Sequence, residues 1–203
     1  MEFWNSLLTE KSWKILQRLK RKKFRFIVIG GWATYIWTKQ HKSKDIDIII
    51  TDFKSLELLK IEYDLKKNDN LRKYEIKIED IDIDIYIPHY SKFVIPIEDL
   101  ILKTAKVESF EVIQPEVLLI LKQGAEFDRK DSVKGQKDRI DIMTLVCYAN
   151  IDFKKYNSIL SNYKLINYKI RLKEIIISFD DFKHLNLNAR DYSKIKKELL
   201  KSL

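Results

Sequence analysis

Gly30 and Gly31 stand side by side in a chain that holds only four glycines among 203 residues. They follow the largely apolar run Phe24 to Ile29 and open a helical pattern, so they mark a strand-to-helix turn. Glycine has no Cβ, and the first N–H groups of a helix lack intrahelical partners, so a phosphate can approach the backbone there. The bland alternative is a tight turn without a ligand. Beyond the turn, Asp45 and Asp47 alternate with Ile46 and Ile48. On a strand, both carboxylates would project from one face and both isoleucines from the other. Paired carboxylates repel unless solvated, protonated or bridged by a cation, and hard oxygens at this spacing suit Mg²⁺. Taken alone, the pair also fits a wet acidic strand face.

A second acidic alternation runs through Asp80, Asp82 and Asp84. If that strand lies beside the first, one of its carboxylates joins the cluster. Asp84 is the choice, because it stands deepest in the strand and is followed by apolar and aromatic residues. Asp82 is close behind, and Asp80 falls in a turn. A third pattern lies further on. Lys122 and Arg129 are two helical turns apart and share a face, and Asp138 and Asp141 share a face of the next helix, preceded by Lys137. Two cations near an acidic site suit a triphosphate. Interhelical ion pairs, such as Arg129 with Asp138 or Asp141, explain the same residues without a ligand.

The elements that must position these groups are legible in outline. An amphipathic helix is predicted over residues 1–22, with Trp4, Leu7, Leu8, Trp13, Ile15, Leu16 and Leu19 on its apolar side. Strands follow at 24–29 and 45–51, helices after Gly31 to about Gln40 and at about 54–67, and one or two strands within 73–88. A short helix near Glu98 and a short strand ending at Ile113 complete this part. From Pro115 the pattern is almost entirely helical: 115–130, 136–149, 152–161, 166–178 and 190–202. The expected fold is α/β (α+β), a small mixed twisted sheet flanked by helices, residues 1–112, followed by a helical domain, 113–203.

Composition narrows the partners. With 39 Lys and Arg against 30 Asp and Glu, the formal charge is +9, which favours an anionic partner such as RNA or a nucleotide. The basic run Arg18 to Arg25 reads equally well as a solvated helix end. No apolar run reaches the roughly 20 residues of a membrane helix, and the start lacks the apolar core of a secretory signal. One cysteine, Cys147, cannot form an internal disulfide and reads as a buried structural thiol. A cytoplasmic protein is expected. His41, His89 and His184 show no zinc spacing, and Trp32 or Tyr35 could border a ligand.

A strand ending in Ile29-Gly30-Gly31, then Ser43-Lys44-Asp45-Ile46-Asp47-Ile48, then a later acidic strand, resembles the nucleotidyltransferase superfamily of DNA polymerase β type. The block from Lys122 through Ala125, Arg129, Lys137, Asp138 and Asp141 to Leu145 resembles its AbiEii-like branch, which includes toxins of toxin–antitoxin and abortive-infection systems. Two features depart from that pattern: His41, Lys42 and Lys44 stand where an arginine is usual, and residues 130–136 lengthen the second block. The resemblance implies transfer of a nucleoside monophosphate from an NTP to a hydroxyl, releasing pyrophosphate. Asp45, Asp47 and Asp84 would hold two Mg²⁺ (or Mn²⁺) ions and act in catalysis. Gly30, Gly31, Ser43, Lys122, Arg129 and Lys137 would hold the nucleotide. The implied partners are an NTP, an RNA acceptor resembling tRNA, and a cognate antitoxin. A protein acceptor that receives AMP, and a non-catalytic nucleotide- or RNA-binding module, are the rival readings.

Overall fold

The computed structural model describes residues 6–203. Trp4, expected on the first helix, lies outside the described residues. The chain divides into two units, Met1–Gln114 and Pro115–Leu203.

The first unit is built on a mixed seven-stranded sheet in the order β3-β4-β5-β2-β1-β7-β6. Its strands are β1 (Phe26–Ile29), β2 (Ile46–Ile50), β3 (Lys66–Asn68), β4 (Lys73–Ile78), β5 (Ile81–Tyr86), β6 (Thr104–Val107) and β7 (Phe110–Ile113). β2 pairs with β1 antiparallel and with β5 parallel, and β1 also pairs with β7 parallel. β1 is buried on both faces, as its unbroken run of Phe, Ile, Val and Ile requires. β5 alternates instead. Ile81, Ile83 and Ile85 are fully buried, while Asp82, Asp84 and Tyr86 face the other way and keep access to water. The helices are α1 (Ser6–Lys20), α2 (Gly30–Thr38), α3 (Phe53–Glu62) and the single turn α4 (Ile97–Leu100).

α1 and α2 meet through aromatic rings. The Trp13 and Trp32 centroids are 4.9 Å apart, and the Trp32 indole N–H donates to Ser12 Oγ at 2.8 Å. Trp32 has no exposed surface, so it belongs to the core and cannot border a ligand, contrary to one expectation. Leu7, expected on the apolar side of the first helix, is 78% exposed, whereas Ile15, Leu16 and Leu19 are buried. The basic run is partly spent on pairing. Arg18 meets Glu79 at 3.0 Å and Lys22 pairs with Glu62.

Two strands were not expected. β3 lies where a helix to residue 67 was predicted, because Asp52 caps α3 at its start and Tyr63 ends it in an extended conformation. β6 forms a hairpin with β7 and starts inside the stretch read as a short helix after Glu98.

The second unit is helical: α5 (Pro115–Arg129), α6 (Val133–Tyr148), α7 (Phe153–Asn162), α8 (Ile166–Ser178) and α9 (Ala189–Ser202), with a 3₁₀ turn at Phe182–Leu185. Its interior carries polar order. Glu126 is fully buried and paired with Arg139 and Arg171, and Tyr156 donates to Gln123 at 2.6 Å. Cys147 sits on α6, and burial pushes its thiol up to about 12. The thiolate is the reactive form. Cys147 is only half-buried, so iodoacetamide at pH 8 should label it much more slowly in the folded protein than in urea. Rapid labelling without denaturant, read by intact mass, would contradict this burial.

Among the described residues, no helix is long and apolar enough to cross a membrane.

Candidate active site

β1 runs straight into α2, with Ile29 as the last extended residue and Gly30 as the first helical one. Ile29 supplies no side-chain cap, and the first turn of α2 holds no acidic residue. The leading N–H groups and the helix dipole thus present a positive end suited to an anion.

Gly30 adopts φ +65°, which glycine takes at little cost. A Cβ there would lie 2.1 Å from Asp47 Oδ2, and one on Gly31 would lie 2.5 Å from Ser43 Oγ. Each glycine therefore makes room for a side chain of this chain, an additional reason for the pair that the sequence reading did not include. Ser43 is buried at 4% exposure, packed beneath the start of the helix.

Strand register then lays out a line across the sheet. Ile29 stands opposite Asp47, Asp47 opposite Asp84, and Asp84 opposite Glu75. Asp84 is the member of the second acidic alternation that comes alongside Asp47. Asp82 is exposed and lies 3.7 Å from Lys77, and Asp80 lies in the turn, 2.8 Å from Lys11. Asp45 does not belong to β2. It occupies the bend just before the strand and is exposed, so alternation along a strand is not what places it. Its charge still reaches Asp84. Burial pushes the Asp84 carboxyl above the ordinary aspartate range, Lys73 opposes that rise, and Glu75 and Asp45 add to it.

Lys73 is the residue that sequence reasoning missed. Its Nζ lies 2.6 Å from Asp84 Oδ2 and 3.0 Å from Glu75 Oε1. Burial works against this ammonium, but the hydrogen bonds it donates to Asp84 and Glu75 outweigh it and hold the pKa above the usual lysine value. The available signal was the near-symmetric alternation on either side of Glu79 and Asp80. It marks a hairpin in which Glu75 faces Asp84 and Lys73 lies diagonal to it.

Among the described residues, no group of three or more His, Cys, Asp or Glu side chains forms a ready metal cage. Mg²⁺ needs no such cage, since it takes one or two carboxylates and completes its shell with water and phosphate. The hard oxygens of Asp45 and Asp47, beside a helix end suited to phosphate, fit such an ion. An ion shared by Asp84 would have to displace or accommodate Lys73.

In the second unit, Lys122 meets Asp141 at 2.5 Å, and Arg129 grips Asp138 through two hydrogen bonds of 2.7 and 3.0 Å. These are the interhelical ion pairs that the sequence allowed. Lys137 lies beside them on α6, half-buried.

A hollow of about 410 Å³ is lined by Thr9, Glu10, Tyr35, Lys39, Gln40, His41 and Lys42, on the segment that leads into Ser43 and Asp45. Lys39 and Lys42 stand 5.5 and 5.9 Å from the Tyr35 ring centroid.

No family model and no curated protein sequence matches the chain. Solved structures do. The solution structure of the antibiotic-resistance factor ANT(2'')-Ia is similar over 82% of this chain and 96% of that one, with a TM-score of 0.55 at 12% identity. The crystal structure of ANT(2'')-Ia in complex with adenylyl-2''-tobramycin covers 80% and 99%, with a TM-score of 0.53 at 12% identity. JHP933 from Helicobacter pylori covers 98% and 95%, with a TM-score of 0.50 at 16% identity. The likeness is one of fold: a mixed sheet with flanking helices of the nucleotidyltransferase-like kind.

Proposed function

We propose that this chain is a Mg²⁺-dependent nucleotidyltransferase, moving a nucleoside monophosphate from an NTP to a hydroxyl acceptor. One observation carries the reading: strand register aligns the start of α2, Asp47 and Asp84 across neighbouring strands. An anion-binding helix end beside two carboxylates is what a triphosphate with its cation needs.

Asp45 and Asp47 would hold the divalent ion, Mg²⁺ or Mn²⁺. Bound there, it would supply charge neutralisation and a template for in-line displacement. The leading N–H groups of α2, at Gly30 and Gly31, hold the β- and γ-phosphates, and Ser43 keeps that backbone in place from beneath. Asp84 accepts the proton of the acceptor hydroxyl as its oxygen bonds to the α-phosphorus. The bridging bond to the β-phosphate breaks, and pyrophosphate leaves with its electron pair. The resemblance alone assigns Lys122, Arg129 and Lys137 to the nucleotide. For the first two, phosphate must compete with Asp141 and Asp138 for the same donors, so the proposal rests on the first unit.

The acceptor we favour is RNA, on the formal charge of +9. The placement among AbiEii-like toxins, with a cognate antitoxin as partner, rests on the residue pattern from Lys122 to Leu145. A small hydroxylated molecule is the competing acceptor, since ANT(2'')-Ia is seen with an adenylylated tobramycin. A second reading, nucleotide binding without turnover, is favoured by the ammonium of Lys73 on Asp84.

The test is a labelling assay. The protein is incubated with Mg²⁺ and each α-labelled NTP in turn, with total RNA, total protein or tobramycin as acceptor, and Asp45→Ala as control. Label entering RNA, and absent from the control, is the expected result. Label on protein or tobramycin would keep the transferase and overturn the RNA acceptor. Nucleotide binding with every acceptor lane silent would favour the binding module.

A further inference from the structure

A transferase site that works with two divalent ions places the second where the third carboxylate can share it. In this chain that place already holds a cation. Lys73 Nζ lies 2.6 Å from Asp84 Oδ2 and 3.0 Å from Glu75 Oε1, and the Lys73 side chain is only 12% exposed. Glu75 is itself fixed, accepting from Asn68 Nδ2 at 3.0 Å. The grip is thus built from two antiparallel pairings, β3 with β4 and β4 with β5, and does not depend on one mobile surface side chain.

Resting on the transferase reading above, we propose that Lys73 is a positioning residue that serves as the built-in second cation. The site then takes one divalent ion, at Asp45 and Asp47, and none at Asp84. Lys73 keeps the Asp84 carboxylate oriented along the line that runs from Asp47, and it balances charge that a second ion would otherwise neutralise. An ammonium donates hydrogen bonds and cannot expand its coordination, so it leaves the other Asp84 oxygen to the acceptor hydroxyl. A second ion would have to expel a half-buried ammonium from two carboxylates, leaving it without either partner in a poorly solvated place.

The experiment counts ions. Mn²⁺ bound per chain is measured by electron paramagnetic resonance at saturating α,β-methylene NTP, which cannot be cleaved. One ion on the wild-type chain is expected, one on Lys73→Arg, and two on Lys73→Met. Two ions on the wild-type chain would overturn the inference and leave the transferase reading intact, and so would a single ion on a folded Lys73→Met. If neither ion nor nucleotide binds the wild-type chain, the transferase reading falls and takes the inference with it. A circular-dichroism melt shows whether Lys73→Met folds; if it does not, the wild-type count decides alone.

Discussion

Asp47→Ala leaves a folded protein in which nucleotidyl transfer falls by roughly 10³-fold or more, the scale of removing a group that acts on the transition state. Asp47 is the centre of the candidate site. It stands opposite Asp84 in one direction and opposite Ile29, at the foot of α2, in the other. Losing it removes one carboxylate of the ion-holding pair and the group nearest the helix end. The fold should not suffer. Asp47 is only half-buried and stands in register with Asp84 on the neighbouring strand, outside the apolar core, so its removal should leave the melting temperature little changed. Asp82→Ala is the matched control, because Asp82 is exposed and meets only a loosely placed Lys77 at 3.7 Å. It should stay within about twofold of wild type, as surface substitutions do. Steady-state rates at saturating NTP and a thermal melt on all three chains make the test. An Asp47→Ala enzyme within tenfold of wild type would move the chemistry elsewhere.

The contrast between Asp47 and Asp82 also shows which parts of the site could be read before any coordinates. Gly30-Gly31 after an apolar run is a local signal, and local signals survive: the strand, the turn and the helix all form where the residues place them. The choice between Asp82 and Asp84 depends on how β5 slides against β2, with two strands between them in sequence, and alternation cannot set that register. Asp45 looked like a strand residue because Asp-Ile-Asp-Ile alternates, yet the strand begins one residue later. β3 was hidden for another reason. Lys66-Lys67-Asn68 is an edge strand with no apolar face, so it carries no periodic signature at all. Lys73 is hardest. In a chain with so many lysines nothing marks one of them, until a hairpin puts it against two carboxylates. Trp32 is the converse case, an aromatic beside a glycine pair that turns inward to the core.

Gly30→Ala is expected to lower stability and activity together, by a route that Asp47 controls. Two costs add. Holding alanine at φ +65° costs roughly 1–2 kcal/mol, and forcing a methyl against packed atoms costs roughly 1–3 kcal/mol. The second cost has a specific source, since the nearest atoms are Asp47 Oδ2 at 2.1 Å, Cγ at 2.7 Å and Cβ at 2.9 Å. A carboxylate end can rotate away, which exchanges stability for a displaced ligand, so transfer should fall even where the protein stays folded. The two costs separate in a double-mutant cycle. In an Asp47→Ala background the carboxylate is gone but the Cβ at 2.9 Å remains, so Gly30→Ala should cost the backbone part and a remnant of the packing part. The coupling should be at most about 3 kcal/mol in the urea denaturation of the four chains. Equal costs in both backgrounds would mean that Asp47 does not lie against Gly30. Gly31→Ala is the internal comparison. Its backbone is ordinary helix, so its only penalty is the Ser43 contact at 2.5 Å, and it should be the milder change. The ordering Gly30 before Gly31, and its collapse without Asp47, follows from one geometric fact: the start of α2 is shaped around the carboxylate beside it.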